Sequence, residues 1–151
     1  MRTASAVSQP NASIEALLGG RKVLPVKQRT ALDWVLVIRR GLSSAAVDSL
    51  ARAMRVTQAE LASALGIPER TLARRKKEGA LNSEESAKVV RLARVLRRAT
   101  EAFEEFNAGL DWLKSPNAAL SGVTPFSLLD TDIGAESVMD ALGRIEHGVF
   151  A

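Results

Sequence analysis

Apolar residues recur along most of this chain at intervals of three and four positions, the spacing of one face of an α-helix. The longest such stripe consists of Val89, Leu92, Leu96, Ala99, Phe103 and Phe106. No stretch alternates with a period of two for long enough to form a β-strand. The pattern therefore predicts an all-α fold.

Helix-capping and helix-breaking residues set the limits of the predicted helices. Thr57-Gln58-Ala59-Glu60 has the capping-box pattern that begins a helix, Gly66 ends that helix, and Pro68 suits the first turn of the next. An earlier helix between Pro25 and Gly41 carries Leu32, Val35, Leu36 and Ile38. The predicted helices lie at about 26–40, 43–54, 57–65, 68–78, 83–106 and 135–146, with short ones between the last two.

The same pattern divides the chain into three parts. Residues 1–24 are mostly small and polar and are expected to form a loosely ordered N-terminal arm, although Ile14, Leu17 and Leu18 make a short apolar stretch before two glycines. Residues 25–100 are predicted to form one helical domain, and residues 101–151 a second, smaller one.

Composition narrows the class of protein. The chain has 151 residues, of which 46% are hydrophobic and 25% charged, as is usual for a soluble globular protein. No apolar run approaches the roughly 20 residues of a membrane-spanning helix, and the first residues lack the apolar segment of a secretory signal. The sequence therefore predicts a cytoplasmic protein with no membrane partner.

Residue types that most often carry catalysis or bind metals are scarce. The chain has no Cys, and His147 is its one His. The sequence also lacks a glycine-rich phosphate loop and a nucleophile motif. We therefore expect no enzyme activity, no cofactor and no metal site, with a pair of carboxylates as the one catalytic alternative left open.

Charge is distributed unevenly along the chain. Residues 1–100 hold 19 Lys and Arg against 8 Asp and Glu, a net +11, whereas residues 101–151 hold 2 against 9, a net −7. The overall net charge of +4 and the pI near 10.0 hide this asymmetry. A basic part and an acidic part indicate two surfaces with different partners, although solvated faces that happen to cluster would give the same counts.

Residues 57–79 have the pattern of a helix-turn-helix, in which two short helices cross at apolar contacts and the second presents polar side chains outward. The residues expected at the crossing are Leu61, Leu65, Ile67 and Leu72. The second helix is rich in cations, which suit the phosphates and guanine edges of DNA. The candidate DNA-binding residues are Thr57, Gln58, Arg70, Thr71, Arg74, Arg75, Lys76 and Lys77.

Arg75 departs from the usual pattern of this motif. An apolar residue is typical late in the second helix, so a cation at this position predicts a less firmly anchored end. A helical hairpin whose basic face is merely soluble is the alternative interpretation. Since one recognition helix reads only a few base pairs, a dimer bound to a palindromic operator is expected.

Two longer stretches resemble the Xre/MbcA/ParS antitoxins of bacterial type II toxin-antitoxin systems. They are LGIPERTLARRKKEGALNSEESAKVVRLARV, residues 65–95, and WLKSPNAALSGVTPFSLLDTDIGAESVMDALGRIEHGV, residues 112–149. The resemblance covers about residues 41–151, with Gly109 and Ser121 as departures from the residues usual in that family. It implies a front domain that binds its own promoter and a carboxyl-terminal domain that blocks a toxin, typically a NAD-consuming toxin with a RES domain.

The resemblance thus assigns residues 101–151 as a toxin-binding domain. Its last residues, RIEHGVFA, combine Gly148, which gives flexibility, with apolar Val149 and Phe150, and are suited to entering a cleft of a partner, with the surface around Trp112 as a platform. The candidate toxin-binding residues are Trp112, Pro116, Asn117, Arg144, Glu146, His147, Gly148, Val149 and Phe150. The expected partners are a cognate RES-domain toxin and operator DNA, with a homodimer that assembles with the toxin into a larger hetero-oligomer.

A stand-alone helix-turn-helix transcriptional regulator is the alternative from another functional class. Its acidic domain would dimerise or sense a ligand. The helix-turn-helix is compatible with both functions, and the tail pattern W-L-x-x-P-N-x-A-L-x-G-x-T-P favours the antitoxin.

Overall fold

The computed structural model describes residues 13–148, and residues 1–12 and 149–151 lie outside that part. Within it the chain forms α-helices and no β-strand, so the all-α prediction is confirmed. The helices are α1 (Ile14–Leu17), α2 (Ala31–Arg40), α3 (Ala45–Met54), α4 (Gln58–Leu65), α5 (Glu69–Glu78), α6 (Ser83–Phe103), α7 (Phe106–Leu113) and α8 (Asp132–Glu146), with short 3-10 turns at Gly20–Lys22, Ala118–Leu120 and Pro125–Leu128. None of the helices in residues 13–148 has the length and apolar character needed to cross a bilayer.

The 21-residue helix α6 is the axis of the fold. It packs against α1, α2, α3 and α4, which precede it in the sequence, and against α7 and α8, which follow it. Its predicted stripe is buried at Val89, Leu92, Leu96 and Ala99. A single apolar core therefore runs through both halves of the chain, and a domain limit at residue 100 falls inside this helix.

The sequence predicted one helix from residue 83 to Phe106, and this prediction is wrong. In the structure the apolar stripe is divided between two helices, α6 and α7. Glu104 adopts a left-handed conformation with φ of 58°, which ends α6 at Phe103. The carboxylate of Glu105 then accepts the backbone N–H of Ala108 at 2.8 Å and caps a new helix, α7. Phe106 is still buried, but it reaches the core from α7. Spacing alone could not reveal the break, because the apolar period continues across it.

Gly109 explains how closely α7 packs against α6. A Cβ built on Gly109 would lie 2.8 Å from the carbonyl oxygen of Ala99, too near for any side chain. The absence of a side chain at Gly109 therefore permits the close contact between these two helices.

The prediction of a loose arm is wrong for residues 13–24. Ile14, Leu17, Leu18 and Leu24 are buried in the core, and the hydroxyl of Ser49 donates to the carbonyl of Leu17 at 3.0 Å. Four aliphatic side chains in a short stretch bury enough apolar surface to dock it. The rest of the predicted arm, residues 1–12, lies outside the described part.

Helix α2 begins later than predicted. The hydroxyl of Thr30 accepts the backbone N–H of Asp33 at 3.1 Å, and the Asp33 carboxylate accepts the N–H of Thr30 at 3.0 Å. This reciprocal capping box starts the helix at Ala31, five residues beyond the predicted position, because two backbone donors are satisfied there at once.

The core-facing side of α2 carries Trp34, Val37 and Ile38. The other apolar residues of this helix point to solvent, with exposed fractions of 62% for Leu32, 37% for Val35 and 46% for Leu36.

Candidate nucleic-acid interface and toxin-binding surface

Helices α4 and α5 form the helix-turn-helix that the sequence predicted. The hydroxyl of Thr57 accepts the N–H of Glu60 at 3.1 Å, and the Glu60 carboxylate accepts the N–H of Thr57 at 2.8 Å. The hydrogen bond from the backbone N–H of Thr57 is the main reason that the pKa of Glu60 lies below its ordinary value, and the Thr57 side chain contributes as well. The capping box at the start of α4 is therefore present and ionised at neutral pH.

The crossing of α4 and α5 is apolar, as predicted. The turn passes through Gly66, whose φ of 69° is left-handed and favours glycine. The buried side chains at the crossing are Leu61, Leu65, Ile67 and Leu72, each at most 5% exposed. The crossing fixes which face of α5 remains outside.

Arg75 is firmly held, which corrects the prediction of a loosely anchored end of α5. Its Nε lies 2.8 Å and 3.1 Å from the two carboxylate oxygens of Glu85, and its Nη1 lies 2.9 Å from Glu78. The ion pair to α6 takes the place of the expected apolar anchor. Arg75 was also a candidate DNA-binding residue, and its guanidinium is directed to these carboxylates.

Two other candidate DNA-binding residues contact each other. The Nζ of Lys76 lies 3.0 Å from a carboxylate oxygen of Asp48 and 3.2 Å from the side-chain oxygen of Gln58. Lys76 therefore connects α5 to both α3 and the start of α4, and Gln58 is positioned by that connection.

The other cations of α5 form an outward strip, which we call the basic strip: Arg70, Arg74 and Lys77. At about 100° per residue these three positions fall within about 60° of one another around the helix axis. All three are exposed, and Thr71 beside them is half-buried. Arg70 and Lys77 form no ion pair among residues 13–148, and the Nε of Arg74 lies 3.8 Å from Glu78. The strip presents an array of positive charge suited to a polyanion.

Part of the carboxyl-terminal candidate set is engaged within the fold. Trp112 is half-buried, and its ring centroid lies 5.9 Å from that of Phe103. The side-chain oxygen of Asn117 accepts the backbone N–H of Ala119 at 2.8 Å. The backbone N–H of Asn117 donates to the carbonyl of Val123 at 3.0 Å, so Asn117 closes a loop. Pro116 in that loop is exposed.

The last described residues are also tied to the fold. The carboxylate of Glu146 lies 2.6 Å from Nη2 of Arg98, and this hydrogen bond lowers the pKa of Glu146. The Nδ1 of His147 lies 2.8 Å from the carbonyl oxygen of Gly143. Arg144 is half-buried and Gly148 is exposed with a left-handed φ of 75°. Val149 and Phe150 lie outside the described residues.

The structure brings both groups of candidate toxin-binding residues to α6, but to different flanks. Trp112 packs on Phe103, and Glu146 pairs with Arg98. Five positions on a helix correspond to a rotation of about 140°. The α6 residues that contact the two groups therefore lie about 140° apart around that helix.

One exposed apolar residue of this half was not predicted. Ile133, in the first turn of α8, is 78% exposed. The buried positions of the helix are Ala135, Val138, Ala141 and Leu142, so an isoleucine at position 133 falls on the opposite, polar side. The helical period of α8 in the sequence could have revealed this outward isoleucine. Single exposed aliphatic residues are common on protein surfaces, so Ile133 is a candidate contact residue and does not by itself mark a binding surface.

Side chains from each half of the chain bind the other half. The Nζ of Lys114 donates to the carbonyls of Met54 at 3.0 Å and Arg55 at 3.2 Å, which end α3. Arg91 donates to the carbonyl of Leu129 at 3.1 Å and pairs with Asp132. Within residues 13–148, no group of three or more His, Asp or Glu side chains could hold a metal ion.

Comparison with known proteins assigns both halves. Residues 33–94 match the family model of the antitoxin Xre-like helix-turn-helix domain, and residues 98–148 match that of the antitoxin Xre/MbcA/ParS C-terminal toxin-binding domain.

Three relatives extend the match over most of the chain. An antitoxin Xre of Yersinia enterocolitica is 37% identical over 130 residues, which cover 85% of this chain and 86% of the relative. An antitoxin Xre of Photorhabdus laumondii is 33% identical over 117 residues, or 76% and 79% of the two chains. A Prs ADP-ribosylating antitoxin of Sphingobium is 31% identical over 130 residues, or 80% and 82%. With both domains matched in this order, the chain belongs to the Xre/MbcA/ParS family of antitoxins.

Proposed function

We propose that this antitoxin binds a cognate NAD-consuming toxin of the RES type in the cytoplasm and represses its own promoter through its helix-turn-helix. The observation that carries the proposal is the order of a helix-turn-helix domain and a toxin-binding domain on one chain. The protein acts in this proposal by binding alone, without a reaction of its own.

The DNA half of the proposal rests on the basic strip. Arg70, Arg74 and Lys77 point outward on a helix whose other cations, Arg75 and Lys76, are held by carboxylates of the fold. Arg70 and Arg74 contact base edges or phosphates, and Lys77 contacts phosphate. Thr57 and Gln58, at the start of α4, lie where a helix N-terminus meets the DNA backbone.

The toxin half rests on the matched domain at residues 98–148. Its exposed elements are the loop with Pro116, the outward Ile133 and the end of α8 around His147. In the proposed complex Ile133 supplies an apolar anchor, and the end of the chain, including Val149 and Phe150, occludes the active-site cleft of the toxin.

A second candidate for the toxin class comes from one relative, whose name is Prs ADP-ribosylating antitoxin. Both classes of toxin would consume NAD. A partner of that class would transfer ADP-ribose from NAD to a protein and release nicotinamide, whereas the RES-type partner proposed here would degrade NAD without a protein acceptor. The two classes differ in what becomes of NAD, so they can be distinguished directly.

The experiment is co-expression with the product of the adjacent open reading frame. That product alone should arrest growth, and co-expression should restore growth and co-purify the two chains. A fall in cellular NAD without a labelled protein supports the RES class, and an ADP-ribosylated protein supports the other. Growth arrest that this chain does not relieve, or no complex between the two chains, would reject the antitoxin pairing. The stand-alone regulator would then explain the helix-turn-helix.

A further inference from the structure

The side chain of Lys76 is held apart from the basic strip by groups of two other helices. Around the axis of α5, Lys76 lies about 100° from Lys77, the nearest member of the strip. Its Nζ is 3.0 Å from a carboxylate oxygen of Asp48, on α3, and 3.2 Å from the side-chain oxygen of Gln58, on α4. One ammonium group therefore joins three helices beside the basic strip.

The ion pair between Asp48 and Lys76 is too exposed to add much to stability. The Asp48 side chain is 42% exposed and that of Lys76 38%. Pairs as exposed as this contribute little to the free energy of unfolding. A carboxylate next to a surface that binds phosphates also repels them, which lowers the affinity for DNA. A role in DNA recognition therefore explains the position of Asp48 better than a role in stability.

We propose that Asp48 determines the specificity of DNA recognition in two ways: it keeps Lys76 away from phosphates, and it orients Gln58 through Lys76. The inference rests on the proposed DNA-binding function and adds to it a residue that does not itself contact DNA. Asp48 is thus a positioning residue, which acts through the two side chains that it holds together.

The contact with Lys76 fixes which end of the Gln58 amide faces outward. A lysine ammonium has only donors, so the amide atom beside it must be the oxygen. The NH2 group then points away from Lys76, and its donors match a phosphate, which has only acceptors. Gln58 is the first residue of α4, the helix that crosses the DNA backbone in a helix-turn-helix. An oriented phosphate contact there fixes the register in which the basic strip meets the bases.

A phosphate that drew Lys76 away would leave two groups without their partner. The Asp48 carboxylate would remain unpaired beside the DNA, where like charges repel. The amide of Gln58 would lose the donor that orients it. Lys76 therefore adds little to the attraction of phosphates that is independent of sequence. Since that attraction supplies nearly all of non-specific binding, its reduction increases the preference for the operator.

The salt dependence of binding to a random-sequence duplex tests whether Lys76 is kept from phosphates. The logarithm of affinity falls with the logarithm of salt concentration by about 0.9 for each phosphate that the protein neutralises. Lys77→Gln should reduce this slope by about 0.9, because Lys77 belongs to the basic strip. Lys76→Gln should leave the slope nearly unchanged. Asp48→Asn should increase it by about 0.9, because the released Lys76 then reaches a phosphate.

The ratio of affinities for a duplex of its own promoter and for the random duplex tests the effect on specificity. Fluorescence anisotropy with the full-length chain should show this ratio falling by about threefold or more in Asp48→Asn. In a Lys76→Gln background the same substitution should have no larger effect than the control. That control is Asp140→Asn, which makes the same change in charge at an exposed position of α8. Melting temperatures should stay close to that of the unchanged protein, because all four positions lie at least partly at the surface.

An unchanged slope and ratio in Asp48→Asn would overturn the proposal. So would equal effects of this substitution with and without Lys76, because the carboxylate would then act through its charge alone. Equal decreases in slope for Lys76→Gln and Lys77→Gln would also overturn it, since Lys76 would then bind a phosphate in the unchanged protein. Failure of the unchanged protein to prefer the promoter duplex would reject the DNA-binding function itself, so the two hypotheses fail in different measurements.

Discussion

Arg75 and Glu85 form an ion pair that joins the recognition helix to the central helix, with Nε 2.8 Å from the nearer carboxylate oxygen. The Glu85 side chain is only 9% exposed. Burial raises the pKa of Glu85, but hydrogen bonds from the N–H of Asn82 and from Arg75 outweigh burial and hold it below the ordinary 4.5. The carboxylate is therefore ionised at neutral pH and orients the end of α5.

Replacing Glu85 with Gln should destabilise the protein at pH 7 by about 1 to 3 kcal/mol, because the substitution removes a charge-assisted hydrogen bond at a buried position. Glu85 contributes stability that is present above its ordinary pKa of 4.5 and is lost as pH falls through its lowered folded pKa. The difference between Glu85→Gln and the unchanged protein in free energy of unfolding should therefore narrow below about pH 4.5. Urea denaturation at several pH values measures it.

The exposed neighbour Glu84 provides the control, since Glu84→Gln changes the same charge in the same helical turn. That variant should shift the free energy of unfolding by less than about 0.5 kcal/mol. Equal effects of the two substitutions would mean that the contact between Arg75 and Glu85 contributes nothing specific.

Charge reversal at Arg70 and Arg74 should weaken operator binding by roughly 1 to 3 kcal/mol for each base contact that the substitutions remove. The dependence of affinity on salt should also become less steep, by about 0.9 in the logarithmic slope for each phosphate that is no longer neutralised. Gel shifts or fluorescence anisotropy across a salt series measure both. An Arg21→Glu and Arg94→Glu variant makes the same change in net charge at exposed positions outside the helix-turn-helix. Similar decreases in affinity in the two double variants would remove α5 from the DNA interface.

Removing residues 147–151 should release toxin activity while the helix-turn-helix half stays folded. The truncation takes away His147, Gly148 and the apolar end but keeps Glu146, whose pairing with Arg98 holds α8 on α6. Growth in the presence of the toxin and binding to operator DNA are the two readouts. A truncated protein that still silences the toxin completely would refute occlusion by the chain end.

Ile133→Glu should weaken toxin binding by about 2 kcal/mol or more if Ile133 is an anchor of that interface. The side chain is 78% exposed, so the substitution should leave the free energy of unfolding nearly unchanged. Val26→Glu places the same charge at a residue that is 73% exposed and outside the matched toxin-binding domain. Calorimetric titration of purified toxin compares the two, and equal affinities would exclude Ile133 from the interface.

Gly109→Ala should destabilise the protein by about 1 to 3 kcal/mol, because the added methyl group must separate α7 from the backbone of Ala99. Gly143→Ala is the matched control within α8, where a Cβ would meet only Arg98 at 3.9 Å. Since alanine favours a helix over glycine by about 1 kcal/mol, this variant should be stabilised. In thermal unfolding, the melting temperature should fall for Gly109→Ala and rise for Gly143→Ala. Two shifts in the same direction would contradict the packing argument.

Local signals in the sequence predicted most of the helices. The capping box at Thr57, the glycine at position 66 and the stripe from Val89 to Ala99 depend on neighbours within a turn or two, and each lies where the pattern indicated. The resemblance predicted both domains, and the matched family models confirm them.

What the sequence could not predict depends on contacts between distant segments. Nothing near Arg75 in the chain indicated that Glu85 would anchor it, and the choice of which apolar side of α2 faces the core was set by α6. The roles of the candidate site residues remain predictions, although Arg75 and Lys76 are seen to bind carboxylates of the fold.

Helix α6 runs through the joint at residues 94–98 where the two family models meet. Recombination at that joint would combine the two halves of α6 from different proteins. Side chains that do not fit each other would then meet in the shared core. The proposed DNA-binding half and the toxin-binding half should therefore not be exchangeable as independent modules, because each contributes side chains to that interior.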